Sequence, residues 1–208
     1  MDDPFITAIF EKEHLTCDTI QPINGGQINL VYRVGDSLIL RAARTVGDRN
    51  RLMQESNLLQ YIRRHVGSAI PVPQVVASGE YDGRAYQVQT RIPGSKLHRT
   101  WLNLSNPDKD RIMAQLAESL EALHALSFEN YGWFHEQEIT YPSWTGYLET
   151  CFSAAMENIE RYSNHFPAFI RKKAVQLFTE HLPLFRDCCP SLVHADLWPG
   201  NILVDGSQ

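Results

Sequence analysis

The stretch His194-Ala195-Asp196-Leu197-Trp198-Pro199-Gly200-Asn201-Ile202-Leu203, close to the end of the 208 residues, decides which fold we predict. It places Asp196 and Asn201 five positions apart, on either side of a Trp-Pro-Gly turn. Apolar, strand-like residues precede the turn at 192–193 and follow it at 202–204. A turn between two extended segments can aim both polar side chains into one cleft.

A carboxylate and an amide at this spacing suit phosphoryl transfer to a hydroxyl. That reaction needs a carboxylate that orients the attacking oxygen and accepts its proton, and an amide oxygen that helps hold the metal on the phosphates. The segment resembles the catalytic loop of aminoglycoside phosphotransferases and of the related choline and homoserine kinase-like enzymes, where the pattern is His-x-Asp-x-x-x-x-Asn. The alternative interpretation is an ordinary hairpin turn, since Asp, Pro, Gly and Asn are common turn residues.

The resemblance implies a fold, a reaction and roles for three residues. The fold would be α+β and protein kinase-like, with a small β-rich nucleotide-binding lobe at 1–92 and a mainly helical lobe at 93–208. The reaction would transfer phosphate from ATP, with Mg²⁺, to a hydroxyl of a small molecule. Asp196 would be the base and Asn201 the metal-side ligand, while His194 would brace the loop through hydrogen bonds.

Hydrophobic patterning supports this division of the chain. Two strand-like runs at 28–34 and 37–42, joined by a Gly-Asp turn, predict a β-hairpin. Helical spacing then covers 48–66, and two further strands are predicted at 74–77 and 85–90. After Pro93-Gly94 the pattern becomes helical, with Asn106 as the predicted N-cap of a long helix and two more helices around 144–162 and 167–185.

The first lobe carries three candidate phosphate-binding features. Gly25 and Gly26, in the run that ends at Asn29, sit where a kinase-like fold places its hairpin over the phosphates, although a bare Gly-Gly also suits a turn alone. The resemblance suggests Arg41 as the strand cation that reaches the phosphates, with Arg44 as a near competitor and a solvated strand-end arginine as the alternative. Glu55, on the following helix, would pair with that cation, unless it is a solvated helix glutamate.

The segment 88–94, Val-Gln-Thr-Arg-Ile-Pro-Gly, resembles the hinge strand whose backbone binds the adenine edge. Gln89 and Arg91 are therefore the candidate nucleotide-binding residues there, although backbone recognition leaves their side-chain identity free. His124 is expected to be structural. Trp198 is expected to anchor the loop by packing rather than to form a substrate platform.

Composition excludes several other classes of protein. Hydrophobic residues make up 43% and charged residues 21% of the chain, which is ordinary for a soluble globular domain. The net charge of −5 provides no basic field for nucleic acid or an anionic membrane. Without a signal-like start or a membrane-length apolar stretch, we expect a cytoplasmic protein, whose oligomeric state the sequence leaves open. Its four cysteines have no zinc-site spacing and are expected to be reduced.

The resemblance is incomplete at the end of the chain. The family carries a second metal-binding Asp a short hairpin after the Asn, whereas Asp205 lies too close to Asn201 to take that role. We therefore expect a C-terminally truncated family member whose 208 residues alone have little kinase activity. A non-catalytic nucleotide-binding or regulatory module is the alternative. A metal-dependent hydrolase that uses His194 and Asp196 as ligands ranks last.

Overall fold

The computed structural model describes residues 4–16, 19–23, 29–46, 49–134, 140–161 and 166–205. The chain divides into two compact units, one of Met1–His124 with Val193–Gln208 and one of Ala125–Leu192. The combination of an antiparallel sheet with helices confirms the predicted α+β class. The lobe boundary predicted between residues 92 and 93 falls inside the first unit and stays a prediction.

Within the described residues, the first unit contains a five-stranded antiparallel sheet. The predicted hairpin is confirmed, because Asn29 pairs with Ala43 and Val34 pairs with Leu38. The strand predicted at 74–77 is longer than expected and contains a bulge. The strands are β1 (Ile20–Pro22), β2 (Asn29–Val34), β3 (Leu38–Ala43), β4 (Val75–Tyr81) and β5 (Arg84–Thr90). Their order in the sheet is β1-β2-β3-β5-β4.

The sheet has two faces with different roles, because successive strand side chains point to opposite sides. On one face, Leu40 and Val88 are fully buried in the main apolar core. On the other face, Arg41 on β3 lies opposite Gln87 on β5, and Ile39 lies opposite Gln89. Polar side chains therefore line up on the second face, while the first face carries the main apolar core.

Helix α1 (Pro4–Lys12) was not predicted, and it covers the apolar face of the sheet. Its buried residues are Phe5, Ile6, Ile9 and Phe10, whose spacing is that of one helical face. This signal was present in the sequence but spans only nine residues. Arg84 on β5 also places its guanidinium 3.4 Å from the centre of the Phe5 ring, which adds a cation–π contact to the docking of this helix.

Helix α2 (Arg49–Val66) packs on the polar face of the sheet, within the predicted range 48–66. Leu52 joins Ala43 and Ala85 in a small buried cluster. Ser56 is fully buried, and its hydroxyl donates to the Leu52 carbonyl oxygen at 2.9 Å. Gln87 Nε2 on β5 donates to the same Ser56 hydroxyl at 2.8 Å, which holds this turn of α2 close to the polar side chains of the sheet.

After the sheet the first unit continues through short elements to one long helix. These are β6 (Ser95–Lys96), α3 (Leu97–Thr100), a 3-10 turn at Trp101–Asn103 and α4 (Asn106–His124). The prediction of Asn106 as N-cap of α4 is wrong, because Ser105 caps the helix. The Asp108 N–H donates to Ser105 Oγ at 3.3 Å, and Ser105 Oγ donates back to the Asp108 carboxylate at 2.6 Å.

The second unit contains α5 (Trp144–Arg161) and α6 (Ala168–His181). The Phe152 and Phe178 rings stack in parallel with centroids 4.0 Å apart. The helix predicted at 167–185 ends at His181 and continues as a 3-10 turn, because Pro183 cannot extend an α-helix. Across the described ranges, no helix combines the length and the apolar character needed to cross a membrane.

A buried hydroxyl ties α1 to the sheet and leads to a first prediction. Tyr86 is fully buried, and its hydroxyl donates a hydrogen bond to the Glu13 carboxylate just after α1. Burial, followed by the contact with Glu13, raises the pKa of the Tyr86 hydroxyl. Because the folded state favours the neutral phenol, its contribution to stability persists below the ordinary tyrosine pKa of about 10 and is lost as pH rises above it.

We therefore expect Tyr86→Phe to lower the free energy of unfolding by about 1–2 kcal/mol at pH 7. The difference from the wild type should shrink above about pH 10, where the unfolded phenol ionises. Urea unfolding at pH 7 to 11 measures both effects. Tyr81→Phe, at a tyrosine that is 37% exposed on the neighbouring strand, is the matched control. A pH-independent difference would contradict the assigned cause.

Candidate active site

The loop that contains Asp196 is bent at Ala195, where φ is +61°. This left-handed conformation costs a non-glycine residue roughly 1–2 kcal/mol. The Asp196 N–H donates to His194 Nδ1 at 3.3 Å, so this nitrogen acts as an acceptor and the ring proton lies on Nε2. The bend and this bond together set the direction of the exposed Asp196 side chain.

Asp196 and Asn201 converge as the sequence predicts. Asn201 Nδ2 donates to the Asp196 backbone oxygen at 3.0 Å and to its carboxylate Oδ2 at 2.8 Å. The intervening turn closes through the Asn201 N–H, which donates to the Trp198 oxygen at 2.8 Å. Because the amide nitrogen is used within the loop, Oδ1 is the end of Asn201 that can ligate a cation.

Backbone hydrogen bonds hold this loop against the segment that follows the sheet. The Leu97 N–H donates to the Ile202 oxygen at 2.9 Å, and the His98 N–H donates to the Pro199 oxygen at 3.1 Å. Strand β7 (Leu203–Val204) pairs antiparallel with β6, Lys96 opposite Leu203. The residues on both sides of Asn201 are therefore fixed by main-chain contacts that do not depend on side-chain identity.

Two aromatic contacts pack the tip of the loop. The Trp198 ring lies over Gly200, where a Cβ atom would come within 2.2 Å of the indole. The same ring stacks on His98 with centroids 5.8 Å apart and planes 16° apart. Trp198 remains 51% exposed. These contacts are those of the packing anchor that the sequence predicts for Trp198, and they explain why a residue without a side chain stands at position 200.

Arg41 and Glu55 form an ion pair between β3 and α2. The Arg41 side chain is 23% exposed and the Glu55 side chain 36% exposed, so the pair is open on one side. Arg41 Nη1 also lies 3.4 Å from Gln87 Oε1. Gln87 Nε2 in turn donates to Ser56 Oγ at 2.8 Å. This chain of bonds orients the guanidinium from the buried side and leaves its outer side accessible.

A cavity of about 420 Å³ lies beside the predicted hinge, within the first unit. Gln89 and Arg91 both line it, as do Ile39 on β3 and Leu203 on β7. Ile39 precedes Arg41 by two residues on the same strand face, and Leu203 follows Asn201 by two. The complete lining is Ile39, Pro73, Gln89, Thr90, Arg91, Ile92, Gly94, Ser95, Lys96, Arg99, Thr100 and Leu203.

The structure describes only some of the remaining predicted phosphate-binding residues. Gly25 and Gly26 lie outside the described residues. Asn29 begins β2 and pairs with Ala43. Arg44 has interactions of its own and is not the partner of Glu55 in the ion pair. The assigned functions of all these residues stay predictions.

Several residues of the site were missed at the sequence level. Gln87 and Ser56 complete the network behind Arg41. Lys96 and Arg99 line the cavity, although their positions in short, irregular elements gave no sequence signal. Gln87 gave no distinctive signal either, because β5 also contains the polar residues Arg84, Gln89 and Thr90. Among the described residues, no group of three His, Cys, Asp or Glu side chains could hold a metal ion.

Comparison with known proteins agrees with this geometry. A sequence model described as "Phosphotransferase enzyme family" matches residues 19–208. The chain belongs to the phosphotransferase enzyme family. No curated protein sequence matches it.

Solved structures share the fold of this family member. Aminoglycoside 2′-phosphotransferase-IIIa, in its GDP complex, has 19% identity and a TM-score of 0.75, covering 100% of this chain and 69% of that one. The streptomycin–ATP complex of APH(2″)-IIa has 13% identity and a TM-score of 0.75, covering 99% and 67%. Aminoglycoside phosphotransferase APH(4)-Ia has 21% identity and a TM-score of 0.62, covering 97% and 67%. The predicted protein kinase-like fold is thereby confirmed, and the chain spans about two thirds of the length of these structures.

The attachment of the loop to β6 generates a second prediction. Gly94 has φ of +120°, and a Cβ atom there would lie 2.7 Å from the Val204 carbonyl oxygen on β7. Gly94→Ala should therefore separate β7 from β6 and lower the free energy of unfolding by roughly 1–3 kcal/mol. Urea unfolding measures the loss, and hydrogen exchange at the Leu97 amide should accelerate.

The matched control is Gly146→Ala, on helix α5. A Cβ atom there meets only the Ser143 hydroxyl, at 3.1 Å, and alanine is favoured over glycine in a helix by about 1 kcal/mol. Equal losses of stability in the two variants would contradict the assigned role of Gly94.

Proposed function

We propose that this protein is an ATP-dependent phosphotransferase that acts on a hydroxyl of a small molecule. The observation that carries the proposal is the pairing of Asp196 with Asn201 at 2.8 Å in an exposed loop. This loop leads in two residues to Leu203, which lines the cavity. Carboxylate, amide and nucleotide-sized cavity are the parts that phosphoryl transfer to an alcohol requires.

In the proposed reaction, Asp196 orients the substrate hydroxyl and accepts its proton. The hydroxyl oxygen then forms a bond to the γ-phosphorus while the bond from that phosphorus to the bridging β–γ oxygen breaks, and ADP leaves. Positioning of this kind is most of what catalysis requires here, because the phosphoryl group transfers through a loose transition state. The Asn201 bond fixes the carboxylate and leaves its other oxygen, Oδ1, available to the substrate.

The cavity beside the hinge is the proposed site of the nucleotide base. Two hinge amides are already used, since the Thr90 N–H donates to the Gln74 oxygen at 2.8 Å and the Arg91 N–H to the Ser37 oxygen at 2.7 Å. The N–H of Ile92, the last before Pro93, makes no hydrogen bond within the described part of the chain and is the proposed donor to the base. Ile39 and Leu203 would contact its two faces.

Arg41 is the proposed cation for the phosphates, oriented by Glu55 and Gln87. It lies two residues from Ile39 on the same face of β3, so a nucleotide with its base beside Ile39 can extend its phosphates toward the guanidinium. Guanidinium groups suit phosphate oxygens because their donors are planar and always charged. The structural relatives support a nucleotide here, as their structures include GDP and ATP complexes.

The residues present fit part of a magnesium site. Asn201 Oδ1 would hold Mg²⁺ on the phosphates, and amide and carboxylate oxygens are the donors this ion prefers. When bound, Mg²⁺ would neutralise phosphate charge. After Asn201 the sequence contains one carboxylate, Asp205, which follows β7 directly. We therefore propose that residues 1–208 by themselves hold the ion weakly and turn over slowly.

Relatives in complexes with antibiotics support a small-molecule acceptor. The streptomycin–ATP complex and the complex of a thermostable APH(4)-Ia mutant with AMP-PNP and hygromycin B each contain both nucleotide and aminoglycoside. At 13% and 19% identity these relatives support the class of acceptor and not one compound. The alternative function is a non-catalytic nucleotide-binding module, which would use the cavity without the phosphoryl-transfer loop.

Calorimetric titration of ATP, with and without Mg²⁺, tests the proposed function. We expect ATP to bind roughly tenfold more tightly with Mg²⁺, because Asn201 would hold the ion and the ion would neutralise phosphate charge. Asn201→Ala should remove this enhancement. Asn103→Ala, at an exposed asparagine in a 3-10 turn, is the matched control and should retain it. Binding that Mg²⁺ does not change would favour the non-catalytic module.

Turnover of the 208-residue polypeptide is the next test. We expect ATP consumption by the purified wild type to stay close to that of Asp196→Ala, because a single amide holds the metal poorly. A sensitive ADP-release assay makes the comparison. Robust turnover that Asp196→Ala lowers by about 10²–10⁴-fold would overturn the expected impairment and support the proposed reaction.

A further inference from the structure

One polar atom of a cavity-lining residue has no hydrogen-bond partner among the described residues. Gln89 lines the cavity at the end of β5, and its Oε1 is shielded from solvent and accepts no hydrogen bond in the described part of the chain. A buried carbonyl oxygen without a donor is unfavourable, and native structures contain few. Gln89 lines the cavity, so a rotation of its terminal amide would bring this oxygen within reach of a ligand that supplies the donor.

Gln87 shows that the fold can satisfy a carboxamide at this face when the group is structural. It lies two residues earlier on the same face of β5 and is fully buried. Its Oε1 lies 3.4 Å from Arg41 Nη1, and its Nε2 donates to Ser56 Oγ at 2.8 Å. Two further buried polar atoms in the described residues lack partners, Gln54 Oε1 and Arg171 Nε, and neither residue lines the cavity. Within the described part of the chain, Gln89 is therefore the cavity-lining residue that has an unpartnered buried oxygen.

The position of Gln89 along the hinge indicates which part of a base it would meet. A purine that accepts the Ile92 N–H at ring nitrogen N1 can place its 6-substituent on the side of Thr90 and Gln89, earlier along the strand. Adenine carries an amino group at this position, whereas guanine and hypoxanthine carry a carbonyl oxygen. Because the terminal torsion of glutamine is soft, the amide can turn Oε1 toward a donor in the cavity.

We infer that the side chain of Gln89 recognises the 6-amino group of adenine and selects it over 6-oxo purines. The inference rests on the proposed function, since it requires a purine nucleotide in this cavity. An adenine amino group gives Oε1 the donor it lacks. A 6-oxo purine presents a second acceptor, so that the amide must offer its nitrogen and Oε1 stays unpartnered.

The test compares three nucleotides on the full 208-residue chain: ATP, inosine triphosphate and purine riboside triphosphate, which has hydrogen at position 6. Calorimetry should show the wild type binding ATP roughly tenfold more tightly than either analogue. Gln89→Met keeps the side-chain length and removes the acceptor. It should lower the affinity for ATP to that of purine riboside triphosphate and leave the affinity for this analogue unchanged. Gln115→Met, at an exposed glutamine on α4, is the matched control.

A second variant covers the case in which Gln89→Met does not fold. Gln89→Glu keeps an oxygen acceptor and should retain the preference for ATP over purine riboside triphosphate. The role of Gln89 is wrong if all three nucleotides bind equally to the wild type, or if Gln89→Met weakens all three by the same factor. If the wild type binds none of them, the proposed function itself fails.

Discussion

The main-chain attachment of the loop at 199–204 to the segment at 94–98 is the constraint on which the site depends. Two backbone bonds, to the oxygens of Pro199 and Ile202, and the short β6–β7 pair fix the loop on either side of Asn201. The same segment contributes Gly94, Ser95 and Lys96 to the cavity wall. One stretch of chain therefore locates both the cavity and the carboxylate–amide pair, so their relative position does not depend on long side chains.

The sheet contributes the other half of the site through its two unlike faces. Burial of Leu40, Tyr86 and Val88 under α1 stabilises the apolar face of the sheet. The opposite, polar face of the sheet can then carry polar side chains at every second position along a strand. Arg41 pairs with Glu55 there, and Ile39 and Gln89 face the cavity. Because a one-residue slip would exchange the two faces, the register of β3 against β5 positions the cation and the cavity wall together.

The loop residues and the sheet were predictable from sequence because their signals are local. The spacing of Asp196 and Asn201 around a Pro-Gly turn predicts their convergence, and two strand-like runs joined by a Gly-Asp turn predict the hairpin of β2 and β3. Helix α1 was missed because its apolar face spans only nine residues, and the cap at Ser105 because Asn106 is an equally good N-cap type. The network of Gln87 and Ser56, the position of Lys96 and the orphaned oxygen of Gln89 depend on contacts between distant segments. No local pattern encodes these contacts.

Unfavourable local features concentrate where chemistry is proposed. Ala195 adopts a left-handed backbone that costs roughly 1–2 kcal/mol, and Gln89 keeps a carbonyl oxygen without a donor. The conformational cost at Ala195 is offset in part by the two hydrogen bonds that Asn201 donates to Asp196, which hold the bend in place before any substrate binds. The Gln89 oxygen has no hydrogen-bond donor among the described residues. The loop is therefore preformed, whereas a residue of the cavity wall still lacks a hydrogen bond. This arrangement is expected where the fold preorganises the reacting groups and the bound ligand supplies the missing hydrogen bond.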